Sequence, residues 1–163
     1  MTEKPFSMIG VPIDCLGFGG PLQAVERMPE SLRRADLAKR LDAKDLGDLE
    51  VRIGKGVRDA QTGLISLDDC RATTRTMRAE TVRLLRGGLR PFFVGGCCSM
   101  VPGITAGLRD VHGQAALVYV DGHMDLYDGE TSWQGEMADM PLGIVLGPAR
   151  LRRSARIWAG YRG

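Results

Sequence analysis

The sequence has little of several features that would assign it to a special class of protein. Its charge is nearly balanced, with 22 basic and 20 acidic side chains and a formal net charge of +2. We therefore expect no nucleic-acid partner. No apolar run approaches the ~18 residues that suggest a membrane span, so we expect no membrane association. The first residues lack the charged and then apolar pattern of a secretory signal.

Cysteine is present, but not at a spacing typical of zinc ribbons or thioredoxin-like proteins. The four cysteines are Cys15, Cys70, Cys97 and Cys98, and none belongs to a C-x-x-C motif. Cys97 and Cys98 are adjacent and cannot easily pair with each other. We expect free thiols and a location in the reducing cytoplasm. A redox-responsive role for Cys97 and Cys98 stays open, because their environment decides their reactivity.

The apolar runs are short, and segments typical of strands alternate with segments typical of helices. Strands are predicted over residues 6–11, 49–53 (as an edge strand), 91–94, 115–120 and 155–159. Helices are predicted over 29–41, 67–86 (with Ser66 as N-cap), 99–108 and 140–146. The central strands are apolar on both faces. This pattern predicts an α/β domain with a mostly parallel sheet that is covered on both sides.

A cluster of possible metal ligands follows the predicted strand 115–120. Asp121-Gly-His-Met-Asp125 places two carboxylates and an imidazole at positions i, i+2 and i+4, which point the same way while the backbone is extended. Their charge favours a divalent cation, and the oxygen-rich set suits Mn²⁺, Mg²⁺ or Fe²⁺. The alternative is a polar loop in which His123 is merely hydrogen-bonded. His112, the other histidine, is interpreted as a surface residue.

A second motif follows the predicted strand 91–94. In Gly95-Gly-Cys-Cys-Ser99, the two glycines allow a tight turn and a close approach of the backbone. Ligands of such sheets sit beyond the carboxyl ends of the strands, where both motifs fall. Alone, this motif is equally typical of a generic strand–turn–helix junction with Cys97 and Cys98 as small buried residues.

Together the two motifs resemble the ureohydrolase family of arginases and agmatinases, which has a G-G-D-H-S strand end and then a D-A-H-x-D strand end at this spacing. Three more segments resemble the family's opening strand, its first helix and its D-x-G-D segment: Ile9-Gly-Val-Pro12, Pro29-Glu-Ser-Leu-Arg33 with Ala35, and Asp45-Leu-Gly-Asp-Leu49. The resemblance covers most of the chain and corresponds to the N-terminal half of the family.

The resemblance implies a three-layer α/β/α fold and a dinuclear Mn²⁺ site. Family members use a metal-bridging hydroxide to attack the guanidinium carbon of arginine, agmatine or a similar compound, and they release urea and an amine. By position, Asp121 would bridge both ions, His123 would bind one ion and Asp125 the other, with Asp121 and His123 as catalytic residues. Family members often form trimers or hexamers, so a homo-oligomer is expected.

The sequence departs from the family pattern at three positions, and at the first of these Cys97 replaces the aspartate of G-G-D-H-S. Cys98 replaces the metal-binding histidine of G-G-D-H-S, and a thiolate matches Mn²⁺ poorly. Either the metal at this subsite differs or it is absent; Cys98 is otherwise a small buried hydrophobe. Ala138 stands where arginases have a proton-shuttling histidine, and alanine cannot transfer a proton. Glu136 or Asp139 is expected to substitute for this histidine, although Asp139 equally suits a helix N-cap. Glu136 is also expected to bind the substrate.

The family's last two metal-binding aspartates lie in its C-terminal half, beyond this sequence. We therefore expect the single domain, residues 1–163, to be truncated or one half of a split protein. Two hypotheses follow. The first is a metal-dependent hydrolase of C–N bonds in a guanidino or amidine compound, incomplete as given. The second is a non-catalytic binding or regulatory protein with the same fold.

Overall fold

The computed structural model of the chain describes residues 6–15 and 24–147. Within these ranges the chain forms three strands: β1 (Phe6–Gly10), β2 (Lys44–Asp48) and β3 (Arg90–Val94). The α-helices are α1 (Met28–Arg34), α2 (Leu37–Arg40), α3 (Leu67–Arg86), α4 (Val101–His112) and α5 (Pro141–Leu146). Short 3-10 turns cover Val25–Arg27, Cys98–Met100 and Met137–Asp139.

The three strands form an open parallel sheet in the order β2-β1-β3. The central strand, β1, is buried over its last four residues, because it has a neighbour at each edge and is covered on both faces. Its register with β3 runs from Phe6 opposite Arg90 to Gly10 opposite Val94. The predicted α/β class with a parallel sheet is confirmed.

Most of the predicted helices and strands are present, and one predicted helix is divided into two. The strands predicted over 6–11 and 91–94 and the helix predicted over 67–86 correspond to β1, β3 and α3. The helix predicted over 29–41 is divided into α1 and α2, because Asp36 adopts a left-handed backbone conformation with φ of 57°. The strand predicted over 155–159 lies outside the described residues.

The edge strand lies directly before the residues 49–53 for which it is predicted. The edge strand is β2, and its ladder with β1 ends where Gly10 lies opposite Asp48. After β2 the Val51 N–H donates to the Leu49 carbonyl at 3.0 Å. The backbone therefore forms a tight turn there and no longer pairs with β1. The alternation of apolar residues was nevertheless informative, because Leu49 and Val51 pack against the core and Ile53 is buried within it.

The predicted strand over 115–120 is not a strand in this structure. The segment is irregular, and its apolar side chains are exposed, with Val118 at 86% and Val120 at 93%. A strand needs a neighbour for its backbone hydrogen bonds. In the described part of the chain, β3 pairs only with β1, and 115–120 has no neighbouring strand. The segment is as apolar as a buried strand, but no strand of the described residues pairs with it, so its side chains stay exposed.

Helix α3 begins at the predicted N-cap, Ser66, but without the predicted capping hydrogen bonds. The Ser66 hydroxyl donates to the Gly54 carbonyl instead. The Asp69 carboxylate accepts a hydrogen bond from the Gly54 N–H at 2.8 Å. Both side chains therefore attach the loop that follows β2 to the first turn of α3.

The main apolar cluster lies beyond the carboxyl end of β1 and joins residues from distant segments of the described chain. Its buried members are Val11, Ile13, Cys15, Ile53, Cys70, Met77, Cys97, Met137 and Ala138. The candidate site described below is built directly on this cluster. None of the helices in the described ranges combines the length and the apolar character that crossing a membrane requires.

Helices α3 and α4 approach each other through two glycines on one face of α4. A Cβ atom at Gly107 would lie 2.6 Å from Thr81 Cβ and 2.8 Å from the Arg78 carbonyl oxygen. One turn earlier, a Cβ at Gly103 would lie 2.5 Å from Met77 Cβ. These distances are too short for any side chain, so the helix contact requires glycine at both positions.

We predict that Gly107→Ala destabilises the protein by about 1–3 kcal/mol through overpacking. Alanine normally stabilises a helix by about 1 kcal/mol relative to glycine. A loss of stability in Gly107→Ala would therefore be caused by the packing of α3 against α4 and not by helix propensity. Urea denaturation would measure it. Gly122→Ala is the matched control, because no atom lies within 4 Å of its added Cβ. A stabilised Gly107→Ala protein would contradict the close packing of α3 and α4.

Candidate metal centre

The two sequence motifs are brought together by neighbouring loops at the carboxyl edge of the sheet. After β3 the chain turns through Gly95 and Gly96, which have φ of 102° and 68°. A Cβ at Gly96 would lie 2.7 Å from the Val11 carbonyl oxygen, so the loop runs in contact with the chain that leaves β1. This close approach requires glycine at 96, while a Cβ at Gly95 would lie 2.5 Å from Pro29. The turn then brings Cys98 to the site.

Three side chains converge at this edge and form what we call the ligand cluster: Cys98, Asp121 and Asp125. One donor atom from each lies within 4.8 Å of the other two. The Cys98 thiol donates a hydrogen bond to Asp121 Oδ2 at 3.5 Å. The two motifs therefore meet in space, as the sequence predicted, although only Gly95-Gly-Cys-Cys-Ser99 follows a strand of the described chain.

The two carboxylates of the ligand cluster are held by different contacts. The His123 backbone N–H donates to Asp121 Oδ1 at 2.9 Å, and this hydrogen bond is the main cause that lowers the pKa of Asp121. Asp125 is buried, with 4% exposure, and accepts a hydrogen bond from the Tyr119 hydroxyl. The first turn of α5 fixes its backbone, because the Leu142 N–H donates to the Asp125 carbonyl at 3.0 Å.

His123 lies outside the ligand cluster in this structure. Its side chain is 86% exposed, with Nδ1 3.3 Å from Asp121 Oδ1. The expectation that all three motif side chains point the same way fails here, because the chain bends at Gly122 and His123 and Asp125 has a left-handed φ of 50°. The spacing i, i+2, i+4 aligns side chains only on an extended backbone. The role of His123 as a metal ligand stays a prediction.

Burial and charge determine the protonation of the Cys98 thiol. Burial, together with the charges of Asp125 and Asp121, raises its pKa to about 12. Without a cation the thiol is therefore protonated at neutral pH. A bound cation would favour the thiolate by its charge, because metal ligation by cysteine requires deprotonation.

Arg58 holds the loop that precedes Glu136 and Asp139. The Arg58 guanidinium donates to the carbonyl oxygens of Gly129, Ser132 and Trp133, at 3.1, 2.5 and 3.0 Å. The loop then leads into buried Glu136, with 3% exposure, and buried Ala138. The Glu136 side chain is therefore buried beside the core residues Met137 and Ala138. Its role as a substrate-binding residue stays a prediction.

Asp139 is not a helix N-cap, contrary to one of the two interpretations of the sequence. Helix α5 has Met140 at its N-cap and no side-chain capping bond, while the Asp139 carboxylate accepts a hydrogen bond from the Ser132 hydroxyl at 3.1 Å. Burial is the main cause that raises the pKa of Asp139, and the charge of Asp125 raises it further. A carboxyl group with a raised pKa beside the ligand cluster is suited to proton transfer.

Sequence reasoning missed Tyr119 and Arg58. The sequence pattern places Tyr119 in an apolar strand and predicts no contact for its hydroxyl, although a buried tyrosine usually requires a hydrogen-bond partner. Arg58 lies in an irregular segment more than 70 residues before the loop that it contacts. No local sequence signal connects residues at that separation.

The ligand cluster fits one divalent cation better than two. Two carboxylates suit a hard ion, whereas a thiolate favours a softer ion such as Co²⁺ or Zn²⁺ over Mn²⁺. Three clustered donors can hold a single ion with positions left for solvent or substrate. Within residues 6–15 and 24–147, no second group of three clustered donors is present. The described residues therefore do not by themselves fit a dinuclear manganese centre.

Comparison with known proteins shows the family to which the chain is similar. The model of the arginase family matches residues 4–163. An arginase of Bacillus caldovelox is 32% identical over 152 residues, which are 88% of this chain and 49% of that protein. The solved structure of an arginase from the same organism matches with a TM-score of 0.77 and 30% identity. That match covers 90% of this chain and 51% of the solved chain.

A second structural match has a similar extent. The solved structure of an arginase from Bacillus subtilis matches with a TM-score of 0.73 and 26% identity, over 93% of this chain and 50% of that one. The chain therefore spans about half the length of the relatives that it matches.

We predict that the protein binds Co²⁺ with a sulfur-to-cobalt charge-transfer absorption in the near ultraviolet, because the ion would displace the proton of Cys98. Cys98→Ser should remove this absorption. Cys70→Ser is the matched control, since it replaces a buried cysteine outside the ligand cluster and should retain it. Absorption that survives in Cys98→Ser would show that the thiol is not a ligand.

Proposed function

This chain belongs to the arginase family, and on that premise we propose that it is a metal-dependent hydrolase of linear C–N bonds. Its substrate would be a small guanidino or amidine compound, and the products would be urea and an amine. The observation that carries the proposal is the convergence of Cys98, Asp121 and Asp125 at the carboxyl edge of the sheet. This is where α/β folds place their ligands.

The three residues of the ligand cluster would hold the cation, with His123 able to add a fourth donor if its exposed side chain turned inward. When bound, the cation would lower the pKa of a water molecule and stabilise negative charge. The family's ion is manganese by resemblance, whereas the thiol of Cys98 favours a softer divalent ion.

The remaining residues of the site would orient groups and move protons. The Tyr119 hydroxyl fixes one carboxylate oxygen of Asp125 and so limits how that ligand can turn. Asp139 is the described group best suited to replace the proton-shuttling histidine that arginases have at the position of Ala138. Its hydrogen bond to Ser132 holds it in place, and burial raises its pKa, which favours a role in proton transfer.

The charge of the site supports a cationic substrate. Asp121 and Asp125 contribute negative charge within one small region. A guanidinium group is a planar cation that pairs well with carboxylates. A homo-oligomer and a cytoplasmic location are part of the same proposal and rest on the family resemblance and on the free cysteines, respectively.

A non-catalytic binding or regulatory protein is the second candidate function. Two observations favour it: the exposed side chain of His123 and the buried Ala138 in place of a proton-transferring residue. Such a protein would retain the fold and could still bind a guanidino compound through its carboxylates without hydrolysing it.

We predict urea release when the purified protein is incubated with Mn²⁺ or Co²⁺ and a panel of guanidino compounds that includes arginine and agmatine. Asp125→Asn should lower the rate by about 100-fold or more, because even the loss of an outer-shell partner of a metal site typically costs about 10–100-fold. Asp110→Asn is the matched control, since this aspartate is paired with Arg78 on α3 and should leave the rate unchanged.

The two candidate functions give different results in one further comparison. In a hydrolase, the wild-type protein releases urea, and Cys98→His shifts its metal preference towards Mn²⁺, because imidazole suits that ion better than thiolate does. In a non-catalytic protein, no compound of the panel is hydrolysed and Cys98→His leaves the bound metal content unchanged. Elemental analysis and a urea assay on the same samples would decide between them.

A further inference from the structure

Two buried cysteines face each other beside the ligand cluster. Cys15 Sγ lies 3.1 Å from Cys97 Sγ, and we call these two residues the thiol pair. The Ser99 hydroxyl oxygen lies 2.7 Å from Cys15 Sγ and 3.3 Å from Cys97 Sγ. Both cysteines are free thiols in the structure. A disulfide has an S–S distance of about 2.0 Å, so the sulfur atoms need to approach by only about 1 Å.

The fold holds the thiol pair in place through two neighbouring strands. Cys15 follows β1 and Cys97 follows β3, and these strands are paired in parallel up to Gly10 and Val94. The pairing continues beyond the sheet, because the Val11 N–H donates to the Val94 carbonyl at 2.9 Å. The two loops therefore leave the sheet side by side.

The other two cysteines have different contacts. The Cys98 thiol is directed to Asp121, so the adjacent residues Cys97 and Cys98 face in different directions. The Cys70 thiol donates to the Ile65 carbonyl at 3.5 Å. Cys97 therefore has Cys15 as its disulfide partner, and not its sequence neighbour.

We propose that Cys15 and Cys97 are an oxidation site, at which a peroxide converts the thiol pair to a disulfide that links the loops after β1 and β3. Cys97 is the more exposed of the two, at 6% against 0%, and would react first. Its sulfur takes up one oxygen from hydrogen peroxide, giving a sulfenic acid and water. The Cys15 thiol then attacks that sulfur, forms the S–S bond and releases a second water molecule.

This step balances without a further reactant. The two thiols lose two electrons and two protons in total, and these reduce one hydrogen peroxide to two water molecules. The disulfide would join residues that are 82 positions apart, and a cross-link of that span restricts the unfolded chain. The oxidised protein should therefore unfold at a higher temperature than the reduced protein. The proposal does not depend on hydrolase activity.

The experiment maps the oxidised thiols in the wild-type chain. The purified protein is treated with hydrogen peroxide, its remaining thiols are alkylated in denaturant, and a tryptic digest is analysed by mass spectrometry without reduction. Trypsin places Cys15, Cys70 and the Cys97–Cys98 dipeptide on three different peptides. The expected product links the Cys15 peptide to the Cys97 peptide, with two hydrogen atoms fewer than their sum, and leaves Cys70 alkylated.

Variants assign the linkage within the Cys97–Cys98 dipeptide. The linked peptides should persist in Cys98→Ser and in Cys70→Ser, and they should disappear in Cys15→Ser and in Cys97→Ser. Linkage through Cys98 or Cys70, or peroxide treatment that leaves Cys15 and Cys97 unlinked in the wild-type protein, would overturn the proposal. The wild-type map shows whether the two peptides are linked, and Cys98→Ser then assigns the linkage to Cys97 even if Cys15→Ser or Cys97→Ser fails to fold.

Discussion

The parallel pairing of β1 with β3 is the interaction on which the ligand cluster and the thiol pair both depend. The strands are close in space but separated by more than 80 residues in sequence. Their in-register pairing delivers two loops to the same edge of the sheet, and Gly96 lets these loops touch. As a result Cys97 reaches Cys15, and Cys98 reaches the carboxylates of the second motif.

The Cys97–Cys98 dipeptide connects two environments with different chemistry. Cys97 belongs to the apolar cluster, whereas Cys98 is half-buried and lies among carboxylates. The same residue type therefore serves as a packed core side chain in one position and as a possible soft metal ligand in the next. In the family motif these two positions are aspartate and histidine. Their replacement by cysteine gives the site a donor that favours a different class of ion.

Sequence patterns predicted correctly the elements that have packing partners among the described residues. They failed where the described residues offer no partner strand or where the strand register ends early. The long helix α3 and the strands β1 and β3 have clear apolar patterns and turn residues at their ends, so their positions were correct. Residues 115–120 are as apolar as a buried strand but lie exposed, because pattern alone does not supply a neighbouring strand. Residues 49–53 alternate correctly yet leave the ladder, because the strand register ends at Asp48.

The candidate site divides in the same way. The sequence by itself determined the family, the parallel α/β class and the two motifs, because strand-end chemistry and glycine turns are encoded over a few adjacent residues. Only the tertiary structure decided that Cys98, Asp121 and Asp125 converge while His123 faces solvent. It also decided that Tyr119 contacts Asp125, that Arg58 holds the loop 129–133, and that Cys15 is the neighbour of Cys97. Those relations depend on backbone bends and on contacts between distant segments, which no local pattern of residue types specifies.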